Sequence, residues 1–315
     1  MKTYKTIIND IETGENLGTS VVEVKENDIV ITNVLSEKEA QNQNKFAKNK
    51  KELDAEIKEF IAENEGFFIY LIYKYGATIF EKLEELVSGS KCNIHIVRFI
   101  VLATFQTWHG NLYSNKNEVK KSSLKRIWDT TSRNSINETY NLLLECEYIY
   151  ETEEGLIMIN EDIITKGTMK EKLNELKKQD KSYTCIRLFA NNIKAMYYGT
   201  ESKQRKLLAN LFKILPYINY KYNVFCSNPT ETDEMKLELL SWGDLAELCG
   251  YDRTNVTRFK KDLWNLKIYS YCVIGEFHCE AGMAICVNPK VYYGGDNVND
   301  VRNLYAMFKM CEKTI

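Results

Sequence analysis

Two stretches of the chain carry the same pattern in the same order, and any fold has to accommodate both. "LKRIWDTTSRNSINETYNLLLECEYIYETEEGLIMINEDIITKG" (124–167) lies against "LAELCGYDRTNVTRFKKDLWNLKIYSYCVIGEFHCEAGMAICVNPKVYYGG" (245–295). Leu124 and Ile127 match Leu245 and Leu248; Ile136 and Leu143 match Val256 and Leu263. Asn160, Ile163 and Gly167 then match Asn288, Val291 and Gly295. Upstream, "FFIYLIYKYGATIFEKLEELVSGS" matches "YTCIRLFANNIKAMYYGTES" loosely, and "VRFIVLATFQTW" matches "RKLLANLFKILPYI". Order and pattern repeated at low identity are the mark of one supersecondary unit used twice. Two copies of one domain are therefore predicted, over 66–168 and 183–296, with "MKEKLNELKKQDKS" (169–182) as a charged, helix-forming linker. The second domain extends to residue 315 through a C-terminal helix.

Each copy reads as helix, helix, short helix, turn, longer helix, strand, turn, strand and a polar turn. In copy two the turn is "CGYD": Gly250 supplies a positive φ that ends one helix, and Asp252 can cap the next. A strand–turn–strand after such a helix pair is a wing. The fold class expected is mainly α with small β wings (α+β), built as tandem winged helix-turn-helix domains.

Residues 1–65 stand apart. "YKTIINDIETGENLGTSVVEVKENDIVITN" alternates apolar and polar residues and breaks at "TGENLG" and "KEND", which predicts two or three antiparallel strands. A charged helix follows over 36–64, with a capping box at Ser36 and Glu39. Its one narrow apolar stripe is Phe46, Leu53, Ile57, Phe60 and Ile61. This helix is read as a solvated connector, the alternative being a pairing segment for a homodimer.

Composition excludes several classes. No apolar run is long enough to span a bilayer, because Lys74 and Arg98 interrupt the two longest. "MKTYKTIIND" has no apolar core of a secretory signal, and nine scattered cysteines suit reduced thiols, so a cytoplasmic protein is expected. Net charge is −2, from 42 basic and 44 acidic residues, so any grip on nucleic acid has to come from local charge. No P-loop, GxSxG or HExxH occurs. Cys272, Cys279 and Cys286 with His278 lack the close pairs of a zinc site and read as small apolar residues of a hairpin. His95, on an apolar helix, reads as a core residue. No catalytic centre, cofactor or metal site is expected.

Local charge does exist. In copy two Val256, Phe259, Leu263 and Leu266 recur at helical spacing as an inner stripe, while Arg253, Thr254, Asn255, Thr257, Arg258 and Lys261 face outward. Arg can bond guanine bidentately and Asn adenine; Thr and Lys suit phosphate oxygens. Copy one offers Arg133, Asn134 and Asn137, but Glu138 and Glu145 sit among them. Its basic residues come earlier, Lys120, Lys121, Lys125 and Arg126, placed to grip phosphate without reading sequence, or simply solvated. The wing tips are acidic: Glu151, Glu153 and Glu154 in copy one, Glu276 and Glu280 in copy two. They are expected to stay off DNA.

The helix pair followed by strand, wing, strand and "VNPKVYYGG" (287–295) resembles RepL-type plasmid replication proteins and their phage relatives. Their domain closes with Asn-Pro after the second wing strand and a Gly soon after, as Asn288, Pro289, Gly294 and Gly295 do here. "LFKILPYINYKYNVF" (211–225) is similar to the family's first core helix and following turn. Copy one keeps Asn160 and Gly167 but has Glu161 in place of the Pro; residues 1–65 lie outside the resemblance. The resemblance implies a non-enzymatic protein of a mobile element that binds double-stranded DNA in replication initiation or transcription regulation. The doubled domain and acidic wings depart from that family's single-domain pattern. The near-neutral net charge, the acidic wings and the unmatched N-terminal segment favour the alternative, a phage-encoded interaction module that binds or inhibits a host protein.

Overall fold

The computed structural model describes residues 2–9, 16–24, 68–74, 77 and 79–293, apart from 78, 167–168, 269–270, 280–281 and 290, with scattered positions between 48 and 59 and at 304 and 308. The chain divides into two compact units, residues 1–63 and 64–315.

In the first unit, β1 (Lys2–Asn9) pairs antiparallel with β2 (Asn16–Val24), in register from Lys2↔Val24 to Ile8↔Gly18. The described positions between 48 and 59 are helical. The Ser36 capping box and the apolar stripe of that helix lie outside the described residues.

In the second unit the expected fold class does not hold. The stretches that open the two repeats, expected as helices, are strands: β3 (Phe68–Lys74) and β9 (Tyr183–Phe189). They pair with each other, antiparallel, from Phe68↔Phe189 to Lys74↔Tyr183. A short strand, β8 (Ile164–Thr165), flanks β3 and completes a three-stranded sheet ordered β8-β3-β9. The physical reason is that "FIYLIYK" is a seven-residue run rich in aromatic and β-branched residues and buried or half-buried throughout, and so short an apolar run has no period that separates strand from helix. The wing of copy two also differs, being two successive hairpins. These are β10 (Lys267–Ile268) with β11 (Tyr271–Cys272), and β12 (Ile274–Cys279) with β13 (Gly282–Val287). The result is an α+β unit of helices among small separate antiparallel sheets, not a row of tandem winged helix-turn-helix domains.

The order of elements still recurs. After β3 come α1 (Glu81–Leu86), α2 (Cys92–Ala103), the hairpin β4 (Tyr113–Ser114) with β5 (Asn117–Glu118), α3 (Leu124–Ile127), α4 (Arg133–Glu145) and the hairpin β6 (Ile149–Glu151) with β7 (Ile157–Ile159). The segment between repeats carries α5 (Met169–Gln179). After β9 come α6 (Ala190–Gly199), α7 (Leu208–Ile214), α8 (Trp242–Leu248) and α9 (Val256–Trp264), then the hairpins. The matched asparagines do matched work. Asn160 Nδ2 donates to the Glu147 carbonyl at 2.8 Å, and Asn288 Nδ2 to that of Cys272 at 2.9 Å. Each then accepts on its own carbonyl the N–H three residues on, from Ile163 and Val291.

The repeats share one continuous core. Ile69, Leu71, Phe99 and Ile100 of the first join Ile186, Leu188, Leu211 and Phe212 of the second, all buried. Helix α2 packs on α7. Polar contacts cross the same boundary: Tyr197 donates to the Trp128 carbonyl at 2.6 Å and Tyr198 to that of Ile127 at 2.8 Å. These satisfy carbonyls at the end of α3 that the helix itself leaves open. Arg205 pairs with Asp129 at 2.7 Å, and Lys213 with Glu84 at 2.6 Å. Among the described residues no helix is long and apolar enough to cross a membrane.

Candidate nucleic-acid interface

The α8–α9 pair is fixed at both ends of its turn. Ser241 and Asp244 form a reciprocal capping box at the start of α8: the Ser241 hydroxyl accepts the Asp244 N–H, and the Asp244 carboxylate accepts the Ser241 N–H at 2.8 Å. The Ser241 hydroxyl, donating to that carboxylate at 2.7 Å, and then the Ser241 N–H hold the Asp244 carboxyl below the usual carboxylate range. Gly250, at φ 76°, leaves the helix in the left-handed region where a side chain would be strained. Asp252 accepts from the Thr254 N–H and hydroxyl, each at 2.8 Å, and these bonds lower its pKa in turn. One turn of tighter helix over 253–255 then leads into α9.

The inner face of α9 is sealed. Phe259 and Leu263 are 0% exposed, and Leu266 is buried with them. Trp242 and Tyr251 meet Phe259 edge-on, with ring centroids 6.3 and 5.1 Å away. Consequently Arg253, Thr254, Asn255, Thr257, Arg258 and Lys261 all emerge on the exposed side. Two of them already have acidic neighbours, Arg253 with Glu247 at 3.6 Å and Arg258 with Asp262 at 4.0 Å. The Thr254 hydroxyl is engaged in the cap, which makes it a positioning group more than a free contact.

Two nearby charges pair with each other. Lys260 turns back over the rings of Trp242 and Trp264, and its ammonium meets Glu276 at 2.6 Å. Glu276, expected as an exposed acid at a wing tip, is thus largely covered and neutralised. Glu280, Gly167, Gly294 and Gly295 lie outside the described residues. Among those described, no group of His, Cys, Asp and Glu is arranged to hold a metal ion.

In the first repeat Ser132 caps α4 by accepting the Ser135 N–H. Arg133 and Asn134 are exposed, Asn137 is half-buried, and Glu138 and Glu145 are exposed among them. Sequence reasoning missed what holds this helix. Arg98, on α2 and only 5% exposed, donates to the Ser135 carbonyl and hydroxyl and to the Thr139 hydroxyl, at 2.7–2.9 Å. His95 contacts the same Thr139 hydroxyl at 2.9 Å. Burial lowers the His95 pKa and keeps the ring neutral near pH 7. The only signal in the sequence is an Arg and a His one turn apart on an otherwise apolar helix.

Lys120, Lys121, Lys125 and Arg126 are all exposed, but only the last two lie on α3. Lys120 precedes a turn of tighter helix and reaches the Glu154 carbonyl at 3.2 Å, and Lys121 lies 4.3 Å over the Tyr140 ring. Arg126 donates to the Ser114 hydroxyl. Tyr140 donates to Glu151, so one acid of the β6–β7 hairpin is also engaged, while Glu153 and Glu154 are exposed at its turn.

Each helix-pair turn borders a cleft formed with the other repeat. One, of about 580 Å³, has Cys249–Asp252, Asn255, Arg258 and Lys213 from the second repeat and Glu84 and Asn93 from the first. The second, of about 460 Å³, sets Lys125, Arg126 and Asp129–Thr131 beside Ser202.

Comparison with protein-family models, with curated proteins and with solved structures finds no match to this chain.

Proposed function

We propose that this chain is a cytoplasmic double-stranded DNA-binding protein, reading bases with α9 and the turn before it, and serving replication initiation or transcription regulation in a plasmid or phage. The observation that carries this reading is the division of α9. Its inner face is locked by Phe259 and Leu263, while Arg258 and Lys261, with Arg253 and Asn255 of the turn before it, are exposed. A helix held that way presents a bidentate donor for guanine and a donor–acceptor pair for adenine on a rigid support. The RepL resemblance of residues 287–295 supports the mobile-element setting.

The test is fluorescence anisotropy on duplex DNA from 50 to 200 mM salt, with wild type and an Arg253→Ala/Arg258→Ala variant. A protein contacting 6–10 phosphates loses roughly 10³–10⁵ in affinity over that range. Binding that follows such a slope and collapses in the variant supports the reading. Absence of binding at the lowest salt overturns it. The second reading, a module that captures a host protein, would then be favoured by the exposed Glu153 and Glu154.

A further inference from the structure

We infer that a single chain spans two inverted half-sites of one duplex, reading base sequence in the half under α9 and only gripping backbone in the half under the first repeat. This rests on the DNA-binding reading above and adds the shape of the site.

Three observations relate the repeats by an approximate local twofold. The equivalent strands β3 and β9 pair antiparallel across seven residues, a self-complementary arrangement centred on Leu71↔Ile186. The equivalent helices α2 and α7 pack on each other. The two clefts are reciprocal: the α8–α9 turn lies against Glu84–Asn93 of the first repeat, and the α3–α4 turn against Ser202 of the second. Contacts exchanged in this way are isologous, as in a symmetric dimer, but here they lie within one chain. A twofold places equivalent groups at the same height along its axis, so a duplex laid across that axis can meet α4 and α9 together. Paired reading helices so related meet duplex DNA as inverted half-sites.

The halves are unequal in chemistry. The strip on α9 and the turn before it is Arg253, Asn255, Thr257, Arg258 and Lys261, a set suited to base edges. The exposed face of α4 mixes Arg133 and Asn134 with Glu138 and Glu145, and an acid at a groove edge is repelled by phosphate. Positive charge in that repeat stands before α4, at Lys120, Lys121, Lys125 and Arg126. Such groups position a protein on the backbone without selecting sequence. Duplication thus gives a chain that carries its own second half-site contact and needs no second copy to supply it.

The experiment selects preferred duplexes from a random library with the full chain, then footprints the bound complex with hydroxyl radicals while its mass is read by sedimentation. The expected result is one chain per duplex with two protected backbone segments about one helical turn apart. Scrambling the bases of one segment lowers affinity about 10- to 100-fold, whereas scrambling the other changes it by less than about 2-fold. A Lys120→Ala/Lys121→Ala/Lys125→Ala variant keeps the same preferred sequence and reduces the salt slope by about 3, one per phosphate contact. These side chains are exposed, so the variant folds, and its circular dichroism checks that it has. A single protected segment, a second segment that requires a second chain, or equal sequence dependence in both halves overturns the inference and leaves the DNA-binding reading standing. No binding to any duplex at the lowest salt removes both.

Discussion

Lys260, its ammonium over the rings of Trp242 and Trp264, meets Glu276 at 2.6 Å, and this one pair changes the charge count of the candidate interface. The lysine sits on the basic helix and the glutamate on the following hairpin, so the sequence offers one as attraction to phosphate and the other as repulsion. Paired, they offer neither. The pair instead ties α9 to β12, which fixes the angle at which the outer strip of α9 is presented.

Glu276→Gln tests that role. Glu276 is 14% exposed and Lys260 39%, so the lost charge interaction is partly screened, and the cost expected is about 1 kcal/mol. For a unit of this size that lowers the melting temperature by roughly 2–4 °C. Affinity for duplex DNA does not rise, because the freed ammonium remains turned toward the rings. A thermal melt and a DNA titration of the same preparation decide the matter; tighter binding would show that Lys260 reaches the interface.

Glu247 and Asp262 have the opposite expectation. Each stands near one of the arginines thought to meet DNA, Arg253 at 3.6 Å and Arg258 at 4.0 Å. Arg253, Arg258 and Glu247 are exposed and Asp262 is largely covered, and both acids repel incoming phosphate. Glu247→Gln with Asp262→Asn should tighten duplex binding by about 3- to 10-fold at 50 mM salt, and the gain should shrink as salt shortens the Debye length from about 14 Å toward 8 Å. Anisotropy titrations at the two salt concentrations measure this. An unchanged affinity at low salt would place DNA elsewhere on the surface.

The His95 ring gives a pH dependence with a defined sign. Burial, and then the nearby Arg98, lower its folded-state pKa, against a partial opposing effect from Glu138 at 3.9 Å. The unfolded chain therefore binds this proton first as pH falls. Stability owed to the neutral ring is complete above the unfolded pKa of about 6.5 and declines as pH drops below it. Wild type should lose more melting temperature than His95→Gln between pH 7.5 and pH 5.5. Equal losses would mean that the ring is protonated in the folded state as well. The comparison of the two proteins removes the carboxylates common to both.

Much of the second repeat was legible because its signals are local. Gly250 and Asp252 mark a turn and a cap by chemistry that needs no partner, and Phe259 and Leu263 mark an inner face by spacing alone. Asn160 and Asn288 were matched by position, and each makes the same turn. What escaped is what depends on distant pairing. "FIYLIYK" and "YTCIRLF" become strands because each supplies the other's hydrogen bonds across more than a hundred residues, and neither run has a period that announces it. Lys260 and Glu276 escaped for the same reason. Arg98 escaped because a buried cation held by neutral oxygens looks in sequence like an interruption of an apolar helix.

That dependence on distant pairing yields the last expectation, which concerns how residues 64–315 unfold. A core in which Leu71 and Phe99 pack with Ile186 and Phe212 has no plane along which the repeats can part cheaply. Parting them would strip β3 from β9, expose two apolar strand edges, and leave the carbonyls of Ile127 and Trp128 without the tyrosine hydroxyls that reach them. Each unmet buried group costs about 1–3 kcal/mol, and a bare apolar edge invites aggregation. The two repeats should therefore melt in one cooperative transition, with coincident curves from far-ultraviolet circular dichroism and from tryptophan fluorescence. Residues 183–315 expressed alone should fail to give a cooperative melt. Two resolved transitions, or a stable and monomeric second repeat, would show instead that each repeat carries a sufficient core of its own. In that case the β3–β9 pairing would be a docking contact between finished domains.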